Sequence, residues 1–236
     1  MKIPLLPDTD LARIAPLQRD QKRKALEAFR VSHPPYRYVP FRKSMAEILN
    51  VQTGFLPATE RAAFSHVEQA IRLESRSVEE FEANLRVAQS LYDHAATAGI
   101  EGRQLDLYPL SLRSGAKLTF WHSLLIIRNG EPVIPFFDPR RTTTRLTAQA
   151  RQFVFSTMHE RIRVADPDFA NVRLAIIQFK APAKGARVPV FHFDEGVPLL
   201  TFEELDQMVQ DTYDMWADVY LQRTKTEPKR RSGGLL

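Results

Sequence analysis

The sequence predicts an α+β, or α/β, fold in which a helical N-terminal region is followed by a mixed β-sheet flanked by helices. Between residues 43 and 98, apolar side chains recur every three or four positions, which is typical of helices with one buried face. After Gly102 the pattern changes to alternating, β-branched and aromatic runs that favour strands. From residue 147 onward, helical and strand-like segments alternate along the chain.

The first 43 residues carry most of the excess positive charge and are predicted to form a basic N-terminal arm. Residues 17–30 read as a short basic helix. Pro34 and Pro35 stop it, because proline disfavours a helical residue before it. A helical region is predicted from residue 44 to 102, with Ser75 to Ser77 separating two antiparallel helices. Gly99 ends the second of them, since glycine adopts the left-handed backbone that closes a helix.

Residues 103–224 are predicted to form a mixed α/β domain. Residues 105–112 alternate apolar and polar side chains, and 117–128 is rich in β-branched and aromatic residues. Asn129-Gly130 predicts a tight hairpin that returns 132–137 antiparallel to the preceding strand. Pro135 within that run predicts an edge strand or an irregularity, because proline cannot donate to the ladder.

The remaining elements follow from similar patterns. We expect a helix over 147–164, and Asp166-Pro167-Asp168 ends it; apolar strands follow over 172–179 and 188–193. A last helix opens with Thr201 and Glu204, whose spacing predicts a capping box. The segment from 225 to 236 reads as a disordered basic tail.

Composition limits the classes of function. The longest apolar runs are far shorter than a bilayer span, and the prolines and aspartates near the N-terminus are not typical of a signal peptide. We therefore expect a soluble, cytoplasmic protein with no membrane contact. The chain has no cysteine, which excludes disulfides and thiolate metal sites. It also lacks the P-loop, G-x-G-x-x-G and G-x-S-x-G motifs.

A net charge of +5 and a pI near 9.5 indicate an acidic partner, and nucleic acid is a common one. The basic and aromatic segment 36–43 fits a strand-backbone contact, with tyrosine stacking on bases and arginine binding phosphates. The alternative is an extended arm packed against the domain. The candidate nucleic-acid-binding residues are Arg23, Lys24, Arg37, Tyr38, Arg42, Lys43, Arg140 and Arg141.

The last helix has the opposite charge. Between residues 201 and 221 it carries six carboxylates and no basic residue. An acidic helix face on a basic protein predicts a contact with a protein partner.

One catalytic hypothesis rests on element order. From residue 77 the predicted order of helix, three strands, helix and strand resembles the core of the PD-(D/E)XK nuclease-like superfamily over roughly residues 77 to 181. That resemblance implies a Mg²⁺ site with a motif triplet on the third strand, but the third strand, 133–138, has no such triplet. A different alignment takes Asp138 as the acidic ligand and Gln178-Phe179-Lys180 as the triplet, with the 147–164 helix inserted between the two motifs. The alternative is structural: Asp138 opens a turn at Pro139, and Gln178 and Lys180 face outward at a strand end.

The preferred function is a non-catalytic, nucleic-acid-associated or complex-forming accessory protein that needs no cofactor. A Mg²⁺-dependent nuclease using Asp138, Gln178 and Lys180 is one alternative. A protein-interaction scaffold without nucleic acid is the other.

Overall fold

The computed structural model of the chain describes residues 3–30, 37–52, 60–140, 145–183 and 186–226. Tyr36, Arg141 and most of the predicted tail lie outside these residues. The described part is an α+β fold with a five-stranded mixed sheet, a separate two-stranded ribbon and helices on both faces of the sheet. The predicted fold class is therefore confirmed.

The N-terminal helices are α1 (Asp8–Ile14), α2 (Arg19–Ala28), α3 (Val39–Lys43), α4 (Met45–Ile48), α5 (Phe64–Glu74) and α6 (Val78–Thr97). Ser77 caps α6 by accepting the Glu80 N–H, and Gly99 follows the helix with φ of +59°. The predicted pair of helices on either side of Ser75–Ser77 is confirmed, as is the role of Gly99.

The sheet consists of β1 (Glu101–Gln104), β4 (Leu124–Arg128), β5 (Glu131–Asp138), β6 (Arg173–Lys180) and β7 (Val188–Phe193), in that spatial order. Neighbouring strands are antiparallel except β5 and β6, which are parallel. Two short strands, β2 (Leu110–Ser111) and β3 (Lys117–Leu118), form the ribbon. Helix α7 (Ala148–Met158) connects β5 to β6 and continues as a π-helical turn over His159–Val164, and α8 (Phe202–Thr226) is the last helix.

The predicted strand over 105–112 is wrong in position, because β1 begins at Glu101 and only Leu110–Ser111 of the predicted run is a strand. Gly102 explains why β1 starts early. A Cβ at this position would lie 2.6 Å from Val51 Cγ2, so glycine lets the segment before β1 come close. Gln52 N–H then donates to the Gly102 carbonyl at 3.0 Å, and Gly102 N–H donates to the Leu49 carbonyl at 3.1 Å.

The hairpin at Asn129-Gly130 is confirmed, and both residues have positive φ as a two-residue turn of this kind requires. The expectation that Pro135 marks an edge strand is wrong, because β5 lies at the centre of the sheet. The alternative expectation, an irregularity, applies only to the partner segment before β4, because β5 itself is unbroken through Pro135. The β4 ladder ends at Val133, and the Pro135 carbonyl instead accepts the N–H of His122 from an irregular segment. The proline nitrogen faces the same side, so no ladder bond is lost.

Alternation along β6 divides the core into two halves. Leu174 and Ile176 pack with α1, α2, α7 and α8, whereas Ala175, Ile177 and Phe179 pack with α3 to α6 on the opposite face. The boundaries predicted near residues 43, 102 and 224 remain predictions. In the structure, the helices on both sides of residue 43 pack onto one sheet, with α1 and α2 on one face and α3 to α6 on the other.

Candidate functional site at the carboxyl ends of β5 and β6

The structure brings two of the three predicted catalytic residues together. Asp138 ends β5 and lies opposite Gln178 in the parallel β5–β6 register. Both side chains are buried, and Gln178 Nε2 donates to Asp138 Oδ2 at 2.9 Å. Lys180 lies two residues further along β6, where its side chain is exposed. The sheet topology, rather than proximity in the chain, therefore creates this site.

Hydrogen bonds from the protein itself occupy both oxygens of Asp138. Arg140 Nε donates to Oδ1 at 2.8 Å, and the Leu146 N–H donates to Oδ2 at 2.8 Å beside the Gln178 amide. Gln178 Nε2 also donates to the Leu146 carbonyl at 3.1 Å. This network ties the end of β5 to the segment that begins α7, which is a structural role for a buried carboxylate.

A group of positive side chains surrounds this network. Arg151 of α7 donates to Gln178 Oε1 at 3.4 Å. Burial, and after it the charge of Arg145, lowers the pKa of the Arg151 guanidinium, while Asp138 opposes this shift. On β7, burial followed by the charges of Arg151, Arg145 and Lys180 lowers the pKa of His192 to about 4. His192 is therefore neutral near pH 7, because it is partly buried and lies among cations.

The described N-terminal candidates do not form one basic surface. Arg23 and Lys24 lie on α2, on one side of the sheet, whereas Arg37, Tyr38, Arg42 and Lys43 lie at α3 on the other. Several of the predicted cations also form ion pairs with carboxylates of the chain. Arg23 pairs with Glu27 at 3.8 Å, and Lys43 pairs with Glu74 at 2.6 Å. Arg140, outside the N-terminal region, pairs with Asp138 at 2.8 Å.

The segment from Arg37 to Phe41 packs against α6, as the arm alternative predicts, but Val39–Lys43 is a helix and not an extended segment. Asn84 Oδ1 accepts the Phe41 N–H at 2.9 Å, and Asn84 Nδ2 donates to the Arg37 carbonyl at 2.8 Å. Glu80 accepts the Arg37 N–H at 2.8 Å. Phe41 is fully buried, so this part of the predicted arm belongs to the core.

The acidic helix is α8, and its predicted capping box is confirmed. Thr201 N–H donates to Glu204 Oε2 at 2.8 Å, and Glu204 N–H donates to Thr201 Oγ1 at 3.2 Å. Between α8 and α2 lies a cleft of about 450 Å³. Its apolar lining includes Met208 and Met215, and its rim combines carboxylates of α8 with cations of α2, namely Asp211, Asp214, Asp218, Arg19, Lys22 and Arg23.

Neither a metal-binding group nor a membrane-spanning helix occurs within the described residues. No group of three His, Asp or Glu side chains in these ranges lies close enough to hold a metal ion. No helix within the same ranges has the length and apolarity needed to cross a bilayer.

Comparison with known proteins gives a family. The model of a family described as sliding clamp-binding bacterial toxin SocB matches residues 9–226. The chain is also 33% identical over 234 residues to the DNA replication inhibitor toxin SocB of Caulobacter vibrioides (strain NA1000 / CB15N), covering 99% of this chain and 98% of that protein. The chain belongs to the SocB family. No solved structure matches it.

Every candidate residue lies within the part of the chain that matches the SocB family model. Sequence reasoning missed Arg151 and His192 as neighbours of Asp138 and Gln178. The periodicity of residues 147–164 predicted which face of the helix is apolar. It could not predict the partner of Arg151, because that partner, Gln178, lies on a strand 27 residues away. The basic residues within 140–145, which precede α7 in the sequence, were the signal that could have indicated these neighbours. Arg145 from this run acts on both missed residues.

Proposed function

We propose that this SocB-family chain is a non-catalytic toxin that binds a replication sliding clamp and thereby inhibits DNA replication. The observation that carries the proposal is the end-to-end similarity to the replication inhibitor of Caulobacter vibrioides, which leaves no large unmatched region in either protein. The match of the clamp-binding family model to residues 9–226 supports the same function. A complex-forming function also fits the buried, internally bonded state of Asp138.

The direct test uses the full chain and a purified bacterial sliding clamp. We expect a stable complex by size-exclusion chromatography and calorimetry. We also expect inhibition of clamp-dependent primer extension, which added clamp should relieve because it titrates the inhibitor. Inhibition of equal strength in a polymerase reaction without clamp, or failure to form a complex, would contradict the proposal.

We further propose that the exposed carboxylates of α8 contribute to the protein contact. Asp214 and Asp218 lie at the cleft with α2 and are exposed. Charges at the rim of an interface chiefly change the association rate and its dependence on salt. We expect the double variant Asp214→Lys/Asp218→Lys to have a lower association rate with the clamp at low salt. The matched control is Glu79→Lys with Glu82→Lys on α6, which makes the same change of charge on another exposed helix face.

A metal-dependent nuclease remains the alternative. It is favoured by the meeting of Asp138 and Gln178 at the ends of adjacent parallel strands, 2.9 Å apart. Its test is DNA cleavage by the full chain with Mg²⁺ or Mn²⁺. Cleavage that a chelator stops and that Asp138→Asn and Lys180→Ala each abolish would favour the nuclease over the clamp-binding toxin.

A further inference from the structure

Three basic side chains from two elements converge beside the Asp138 network. Arg145 precedes α7, Arg151 lies in its first turns, and Lys180 ends β6 on the same strand face as Gln178. Arg151 contacts Gln178 at 3.4 Å, so the cluster lies directly over the carboxyl ends of β5 and β6. All three cations are close enough to His192 to act on its protonation.

Among the described residues this charge is balanced only in part, because Asp138 acts on Arg151 without pairing with it. Asp138 is the carboxylate at the cluster, and its two oxygens are already bonded to Arg140, Leu146 N–H and Gln178. Within the described ranges, no carboxylate lies within ion-pairing distance of Arg145, Arg151 or Lys180. Like charges held together in a partly buried place repel one another, and an anion bound there relieves the repulsion.

We infer that Arg145, Arg151 and Lys180 form a binding site for the phosphate groups of a nucleic-acid backbone. Arginine presents paired donors that match phosphate oxygens, and lysine adds a mobile positive charge at the exposed edge. The site differs from the N-terminal surface predicted from composition, where cations lie on opposite sides of the sheet and several are paired.

The cluster joins an exposed lysine to two half-buried arginines, and this arrangement favours a backbone over a free nucleotide. Sites for small ligands are concave and mostly apolar. Two clefts of about 450 and 420 Å³ among the described residues lie at α1, α2, α7 and α8, and these three cations line neither of them. Half-buried Arg145 and Arg151 beside exposed Lys180, at the carboxyl ends of two strands, can contact successive phosphates and need no base pocket. The three cations do not line the cleft between α2 and α8, so replacing them tests DNA binding separately from the proposed α8 contact.

The test measures binding of the full chain, without clamp, to a short labelled DNA duplex and a single strand at several salt concentrations. The logarithm of the affinity falls linearly with the logarithm of the salt concentration. Each lost phosphate contact should make this slope less steep by about 0.9 on duplex DNA. We expect that reduction for Arg145→Gln and for Lys180→Gln. Lys117→Gln is the matched control, because Lys117 is an exposed cation on the separate β2–β3 ribbon.

A second measurement reports on the site directly, at saturating DNA. Phosphates bound among the three cations offset their charge but not the burial of His192, so DNA should raise the pKa of His192 above about 4 in an NMR titration. DNA binding with the same salt slope in Arg145→Gln and Lys180→Gln as in the unmodified chain would overturn the inference. An equal response of His192 to inorganic phosphate without any DNA binding would also overturn it, since it would make the site one for free phosphate.

Discussion

Replacing Asp138 by alanine tests whether this carboxylate holds the fold together. Asp138 is fully buried, and the Arg140 side chain, its ion-pair partner at 2.8 Å, is only 17% exposed. The replacement leaves a partly buried guanidinium with only the more distant Asp10, at 4.0 Å, as a counter-ion. It also removes the acceptor of the Leu146 N–H and the Gln178 amide. Breaking a buried pair in this way costs about 3 to 5 kcal/mol. That loss is a large part of the roughly 5 to 15 kcal/mol that stabilises a typical domain.

The assay is urea denaturation, with the free energy of unfolding extrapolated to water. Asp168→Ala is the control, since Asp168 is exposed, and its stability should stay within about 0.5 kcal/mol of the unmodified chain. The double variant Asp138→Ala with Arg140→Ala should lose less than the sum of the single variants, because it leaves no unpaired charge. A loss below about 1 kcal/mol for Asp138→Ala would refute a structural role and make a catalytic or binding role for this carboxylate more credible.

Three further outcomes follow from other buried contacts. Burial lowers the pKa of His122 to about 4, so between pH 6.5 and 4 the unfolded chain binds more protons than the folded one. The free energy of unfolding should therefore fall by about 3 kcal/mol as the pH drops through this range. His122→Phe should reduce this loss, as measured by urea denaturation at each pH. Asn84→Ala should cost about 1 to 3 kcal/mol, because it leaves the buried Phe41 N–H without its acceptor; equal urea midpoints for variant and unmodified chain would contradict this. Gly102→Ala should lower the melting temperature, because its Cβ would meet the Val51 side chain at 2.6 Å, and adding Val51→Ala should recover part of the loss.

The elements that sequence patterns predicted well are those with local causes. The capping box of Thr201 and Glu204 and the turn at Asn129-Gly130 each involve residues at most three positions apart, so their signals can be read directly. The helices α6 and α7 follow from apolar spacing for the same reason. Pro135 shows the limit of such rules, because it lies in a central strand. The neighbouring segment that contains His122 does not form a regular ladder with β5 there, and it needs only the Pro135 carbonyl as a partner.

The candidate site was predicted only in part. Asp138 and Gln178 were selected from the sequence, but their contact depends on two strands being parallel neighbours across 40 residues. The sequence also showed an excess of positive charge near the amino end. It did not show that α2 and α3 lie on opposite sides of the sheet, so the predicted surface is divided in the folded chain.

Composition and local spacing were therefore enough to establish the fold class, most of the helices, the hairpin and the acidic last helix. Backbone hydrogen bonds and turn geometry over a few residues produce these features, and they leave a direct pattern in the chain. The order of the strands, the buried bonds of Asp138 and the unbalanced charge around Arg151 were decided by tertiary structure. They depend on contacts between distant segments, and the free energy of those contacts appears only when the whole core packs.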